Sequence, residues 1–334
     1  MSRRSLLAGL ASLFLSSAGC AKQEDVIVHT GEGKAKTAAE IDADALALLP
    51  GGAITVGVLD AQALFASQFG DKLLEVSKRR APVPDAAGFD PKRDLTKVYF
   101  GVYSMQGADV CGVALGKFDP KKIEAAADGI QKTPHGVPVT KSTYAGRALY
   151  TADSVGFTVL TTRTALFGNQ TGIRRALDRI KEGTAKRELP GWTNKVLGQT
   201  SAPFAFGSNL KDQPVSNALR RTLPFLDGVE TLAVVGNFAP PGLNLAGTFV
   251  YPDEEAAKVG ASKAAETRAQ FDSYTPYLAI FGIPKPLHKL EADAIGKEAH
   301  FVAGIDAAAI STLLGRLDDL LNALPKVQPQ PVSQ

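Results

Sequence analysis

The sequence predicts an α+β fold built from two similar modules, each a mostly antiparallel sheet with helices packed on one side. Three observations support this prediction. Between residues 50 and 323 the apolar periodicity changes repeatedly between about two and 3.6 residues. Short, glycine-bearing connections join consecutive strand patterns, as in hairpins. A hairpin followed by a helix also occurs twice, about 133 residues apart.

The first module is predicted over residues 50–185. It begins with the strand "AITVGVLD" and continues with a helical stripe that includes Phe65 and Phe69. The strands "KVYFGVY" and "DVCGVALG" form a hairpin, and Asp119 followed by Pro120 is a typical helix start. A second hairpin, "ALYTAD" with "GFTVLTT", precedes a helix with Leu177 on its apolar stripe.

The second module is predicted over residues 200–323. Without a gap, residues 98–127 align with residues 231–260 as strand, strand and helix, which indicates an internal duplication; the alternative is that any two such units look alike. Near the end, Phe301 and alternate residues after it form an apolar strand face, with His300 on the opposite parity. The helix that follows is predicted to bury its apolar stripe, formed by Ile310, Leu313, Leu314, Leu317 and Leu321.

Residues 1–19 have the features of an export signal. A basic start, "MSRRS", precedes about ten apolar residues, too few to span a bilayer, and then small residues. Ser17-Ala18-Gly19-Cys20 resembles the lipobox of bacterial lipoproteins, with Ser17 in place of the usual leucine. The resemblance implies that Cys20 is acylated and becomes the first residue of the mature protein.

Two alternatives concern the same segment. An ordinary secretory signal, with Cys20 unmodified near the cleavage point, would release a periplasmic protein. Arg3 and Arg4 also resemble the twin-arginine motif, whose passengers cross the membrane folded. Ala21 follows the lipobox cysteine where some lipoproteins kept at an inner membrane have aspartate, so an outer membrane is the preferred location.

The chain on either side of the modules has few core-forming patterns. Residues 20–49 form the lipidated N-terminus and a tether rich in Ala, Lys, Glu and Asp. Residues 324–334 carry three prolines and are predicted to be a disordered tail. The unit from Tyr144 to Ile180 and the segment after it resemble a family of exported bacterial proteins of unknown function, and this resemblance implies no activity.

No residue pattern in the chain points to catalysis, a metal or a cofactor. The four histidines are scattered, and no G-x-S-x-G or phosphate-loop motif is complete. Cys111 lies on the parity of neighbouring strand hydrophobes, which favours a structural thiol. Removing residues 1–19 leaves a formal charge of about +1, which gives no reason to expect a nucleic-acid partner.

The sequence therefore predicts a non-enzymatic protein of the cell envelope, held to a membrane by acyl chains on Cys20. It would bind an envelope protein partner or serve a structural role. The alternative is a binding protein for an apolar small ligand held between the modules or under the aromatic segment at residues 270–288, whose other interpretation is a broken, core-covering helix. A hydrolase with an unrecognised site is the third function class.

Overall fold

Twelve strands form one antiparallel sheet in the computed structural model of this protein. The structure describes residues 34–80, 85–104, 109–134, 136–152, 155–197, 201–211, 213–280 and 284–323. The strands are β1 Thr55–Asp60, β2 Leu95–Ser104, β3 Asp109–Gly116, β4 Val139–Tyr144, β5 Arg147–Ala152, β6 Val155–Val159, β7 Thr164–Asn169, β8 Phe204–Asn209, β9 Thr231–Asn237, β10 Gly242–Val250, β11 Leu287–Ile295 and β12 Glu298–Asp306.

Helices of very different lengths connect the strands. They are α1 Ala38–Ala43, α2 Ala61–Phe65, α3 Gly70–Arg80, α4 Pro91–Asp94, α5 Pro120–Asp128, α6 Gln170–Lys181, α7 Thr193–Leu197, α8 Asn217–Thr222, α9 Glu254–Ile280 and α10 Ala307–Ala323. Short 3-10 helices cover Ala45–Leu48, Asp85–Ala87 and Pro224–Leu226.

The order of strands across the sheet repeats the same plan twice. It reads β11-β12-β10-β9-β8-β1-β2-β3-β7-β6-β5-β4. In the first half β1, β2 and β3 are neighbours, and β3 pairs with β7, the last strand of the meander that follows α5. In the second half β8, β9 and β10 are neighbours, and β10 pairs with β12, the last strand of the hairpin that follows α9. The first half differs by two additional strands, β4 and β5. The predicted α+β class with an antiparallel sheet is confirmed, and β1 pairs with β8 so that the sheet continues through both predicted modules.

The predicted strand-strand-helix correspondence has a change of register. Val98 of β2 is opposite Ala114 of β3, whereas the gap-free alignment would put Thr231 opposite Gly247. In the structure Thr231 is opposite Val250. A three-residue gap between the two strands is therefore needed to align the halves.

We call one side of the sheet its front. The equivalent helices α5 and α9 both pack there. Under α5 lie apolar side chains that include Ala114, Phe157 and Ala165. Under α9 lie Phe249 and Phe301, whose stacked rings have centroids 4.4 Å apart.

The opposite side, the back, is covered over the first half by α6. Ile173 and Leu177 of this helix are fully buried against Cys111, Val113 and Leu166. Helices therefore cover both faces of the first half, rather than one side as expected. The reason is that strand parity divides its apolar residues: residues 111, 113 and 166 point to the back, and residues 114 and 165 point to the front.

The N-terminal segment requires a correction. Residues 38–49 were expected to be part of the tether, but Ile41 and Leu49 are fully buried in the back core of the first half. The side chain of Asp42 also accepts hydrogen bonds from Thr161 Oγ1 at 2.5 Å and Thr164 Oγ1 at 2.7 Å. Residues 38–49 therefore belong to the folded body. The export signal, Cys20 and the predicted tail lie outside the described residues.

The sheet provides a matched pair for testing how the two halves differ. Leu166 of β7 is opposite Val113, and Val302 of β12 is opposite Ala246, which is 133 residues after Val113. Leu166 is fully buried, whereas Val302 is 37% exposed. We expect Leu166→Ala to lower the free energy of unfolding by about 2–4 kcal/mol, and Val302→Ala by less than about 1 kcal/mol. Urea denaturation measures both changes in the free energy of unfolding. Equal losses would contradict the conclusion that Leu166 lies on a covered sheet face and Val302 on an exposed one.

Candidate functional site

The back of the second half is an open sheet surface over β10, β11 and β12, whereas α7 packs on the back of β8 and β9. We call its residues on β10, β11 and β12 the open face. They lie opposite one another in rows across the three strands, as the pairing of Thr248 with His300 and of His300 with Asp293 illustrates. The open face consists of Ala246, Thr248, Val250, Lys289, Glu291, Asp293, Ile295, Glu298, His300 and Val302.

The sequence of β11 and β12 explains why this surface faces solvent. In β11, Leu290 and Ala292 point to α9 on the front, while Glu291 and Asp293 alternate with them and are exposed. In β12, Phe301 is buried, and its neighbours His300 and Val302 are exposed. Antiparallel sheets commonly have this one-sided pattern.

The helix that corresponds to α6 does not cover the open face. Asp306 caps α10 by accepting a hydrogen bond from the backbone N–H of Ala309 at 2.9 Å. From this start α10 packs against α3 of the first half, where Gly315 comes close to Lys72. Ile310 and Leu313 of α10 are only partly buried, so the expectation that this helix buries them is not met.

The open face carries an excess of negative charge around two exposed apolar side chains. Three carboxylates, Glu291, Asp293 and Glu298, lie here with the single lysine Lys289, and Arg268 of α9 also lies 3.7 Å from Glu291. Asp293 forms no ion pair with any residue that the structure describes. Beside these charges Ile295 is 68% exposed, an unusually large fraction for isoleucine.

Hydrogen bonds and ion pairs fix several of these side chains. His300 Nδ1 lies 3.2 Å from Thr248 Oγ1, and His300 Nε2 lies 3.3 Å from Glu298 Oε2. Lys289 Nζ lies 3.0 Å from Glu291 Oε2. His300 is thus exposed to solvent, as its strand parity predicts. Thr248 and Glu298 hold its ring against the surface of the sheet.

Two pockets lie elsewhere, and polar side chains line both. One, of about 360 Å³, lies between the end of α5 and β4; here the Tyr150 hydroxyl donates to Asp128 at 2.8 Å, and Lys141 pairs with the same carboxylate. Burial, followed by the hydrogen bond to Asp128, raises the pKa of Tyr150 to about 12. The phenol is therefore neutral near pH 7 and serves as a structural donor. The second pocket, beside α8, has a volume of about 410 Å³.

The remaining sequence candidates do not assemble into a reaction centre among the described residues. Burial raises the pKa of Cys111 to about 12, so this thiol is protonated and enclosed, as its strand parity suggests. His288 pairs with Asp306 at 3.1 Å, far from Cys111 along the chain. Within the described ranges no group of three or more His, Cys, Asp or Glu side chains is placed to hold a metal ion.

The aromatic segment differs from its predicted broken helix. α9 continues through Pro276 to Ile280 without interruption. Tyr277 and Ile280 at its end are 65% and 77% exposed, so they do not cover the core. Among the described residues, no helix has both the length and the apolar character required to cross a bilayer.

Comparison with known proteins gives information about the fold alone. No family model matches the chain, and no curated protein sequence matches it. The chain is similar in structure to crystal form III of TP0453, with a TM-score of 0.52 at 8% sequence identity, over 81% of this chain and 97% of the other. Crystal forms I and IV of TP0453 give a TM-score of 0.48 each, at 10% and 8% identity, and cover 80–81% of this chain and 95–96% of theirs. The similarity to crystal form III supports a shared architecture.

Proposed function

We propose that this protein is a non-catalytic, lipid-anchored protein of the cell envelope that binds a protein partner through the open face. The anchor rests on the sequence of residues 1–19 and on Cys20 after them. The binding role rests on one observation, the difference between the halves: α6 buries the back of the first half, whereas in the described part of the chain α7 covers only β8 and β9 of the second half and no helix covers the back of β10, β11 and β12.

The chemistry of the open face suggests the kind of partner. Glu291 already pairs with Lys289 and Arg268, so the carboxylate that favours a basic side chain of the partner is Asp293, which forms no ion pair with the described residues. The exposed Ile295 and Val302 of the open face favour an apolar contact beside this charge. A sheet face is broad and shallow, which suits a protein surface better than a small molecule. We therefore propose a protein partner with a basic surface around an apolar centre.

The protein's own α10 is a poorer match for this surface. From its start at Ala307 it packs against α3 of the first half, where Gly315 comes close to Lys72. An external partner of opposite charge is the better candidate.

The alternative function, binding an apolar ligand between the modules, gains no support from the described residues. The two halves meet in the hydrogen-bonded pairing of β1 with β8. Both described pockets are open, and the lining of each includes charged side chains. A hydrolase likewise has no cluster of residues to support it in the described part of the chain.

The anchor can be tested by replacing the cysteine. We expect Cys20→Ala to move the protein from the membrane fraction to the soluble fraction, because acyl chains supply the attachment. Cell fractionation followed by a salt wash measures this, and Cys111→Ala, which removes the other cysteine, is the control. A Cys20→Ala protein that still sediments with washed membranes would rule out the lipid anchor.

The binding role can be tested by site-specific photo-crosslinking in cells. A photoreactive residue at Val302 should give a discrete protein adduct, and one at Glu266 on the outer surface of α9 should not. We expect Asp293→Lys to reduce the adduct from position 302 about tenfold, because it reverses one charge of the open face. Glu266→Lys, the same change on the opposite side of the sheet, should leave it unchanged. Equal adducts from both positions, or a yield insensitive to Asp293→Lys, would contradict the proposal.

A further inference from the structure

The second pocket described above lies on the front side of the sheet, away from the open face. It opens between α8, the 3-10 helix Pro224–Leu226 and α9, with a volume of about 410 Å³. This volume leaves room for a small ionic group and for part of the molecule that carries it. We call it the basic pocket, and its lining residues are Asn217, Arg220, Arg221, Pro224, Asp227 and Lys263.

The basic pocket holds more positive than negative charge. Asp227 is its one carboxylate, and it accepts from Arg220 at 3.2 Å and lies 4.0 Å from Lys263. Arg221 is exposed and forms no ion pair with the residues that the structure describes. Among the residues that line the pocket, three cations therefore share one carboxylate, which leaves two positive charges without a matching anion in the lining.

Arg220 has a hydrogen-bond donor that is not satisfied. One terminal nitrogen donates to Asp227, and the other donates to Asn217. Its Nε is buried and has no hydrogen-bond partner in the structure. Because a buried N–H without an acceptor is unfavourable, an anionic oxygen at this position would be stabilising.

The elements around the basic pocket are held in place by the core of the second half. The buried Tyr251 hydroxyl donates to the backbone carbonyl of Phe225, which ties the 3-10 helix to the end of β10. Ser216 caps α8 by accepting from the backbone N–H of Leu219 at 3.3 Å. Lys263 is on the long helix α9. The cations therefore come from fixed elements, which reduces the ordering cost of binding.

We propose that the basic pocket binds a phosphate group. Two excess positive charges match a phosphate dianion better than a single carboxylate. Donors from Arg220, Arg221 and Lys263 come from two different elements, which suits a tetrahedral anion with several acceptor oxygens. The group could belong to a soluble phosphate ester or to the headgroup of a lipid such as phosphatidic acid, since both present the same chemistry.

Isothermal titration of the full chain carrying Cys20→Ala with inorganic phosphate, at constant ionic strength, tests this proposal. We expect saturable binding at one site, weakened about tenfold by Arg221→Gln and further by Arg220→Gln with Arg221→Gln. Arg221 is exposed and forms no ion pair with the described residues, so this variant should fold normally, which circular dichroism checks. Lys258→Gln, the same loss of charge on the exposed side of α9, should leave the affinity within about twofold.

A second arm uses the same proteins with phosphatidylcholine vesicles that do or do not contain phosphatidic acid. If the protein binds the vesicles that contain phosphatidic acid and Arg221→Gln abolishes this binding, the phosphate group belongs to a lipid headgroup. If the protein binds inorganic phosphate but not the vesicles, the phosphate group belongs to a soluble ester. Equal phosphate affinity in all variants, or equal displacement by chloride, would mean an adventitious ion only and would overturn the proposal. Absence of binding in both arms would also overturn it.

Discussion

The antiparallel pairing of β1 with β8 is the interaction on which the rest of this structure depends. Five residues of each strand are opposite one another, from Thr55 with Ser208 to Leu59 with Phe204. The buried hydroxyls of Thr55 and Ser208 lie 2.6 Å apart within this pairing. Since β1 and β8 are the first strands of the two halves, their antiparallel contact relates the halves by an approximate two-fold rotation. Equivalent helices must then fall on the same side of the sheet, as α5 and α9 do.

Because the two halves are related by this approximate two-fold rotation, their back faces can be compared strand by strand, and the two faces differ. Both halves have a helix after their last strand, but α6 covers the back of the first half, and α10 packs against α3. The second half tolerates this because its back-facing positions include Glu291, Asp293 and His300 rather than core hydrophobes. An antiparallel sheet can leave one face in water when that face is polar. The proposed partner surface is therefore compatible with stability, because the main apolar core of this half lies on the front, and its back carries only a smaller apolar cluster under α7, on β8 and β9.

The sequence predicted elements that have strong local signals and missed those defined by distant contacts. β1, β2, β3 and α5 have clear periodicity or a capping pair, and all were found. β7 was missed because its six residues run directly into α6, and β11 because its alternating charges follow the aromatic segment. The placement of residues 38–49 also depended on a cavity that only the folded first half creates, between α6 and the sheet.

The functional surface was accessible to sequence reasoning only in part. The outward parity of His300 could be read from β12 alone, and the structure agrees. The open face as a whole could not be derived, because it requires the register of β10 with β12 and of β11 with β12, and the departure of α10 from its own half. The basic pocket similarly joins Arg220 and Lys263, which are separated by two strands in the chain. No motif marks either surface.

Amide hydrogen exchange along the sheet tests the central structural claim most directly, since it reports whether β1 and β8 are paired in solution. If the two halves form one sheet, the backbone amides of β1 and β8 exchange as slowly as those of β2 and β9, and all are released in a single cooperative unfolding. If β1 and β8 exchange much faster while the hairpins β2–β3 and β9–β10 stay protected, the halves are independent modules, and the relation that defines the open face is wrong.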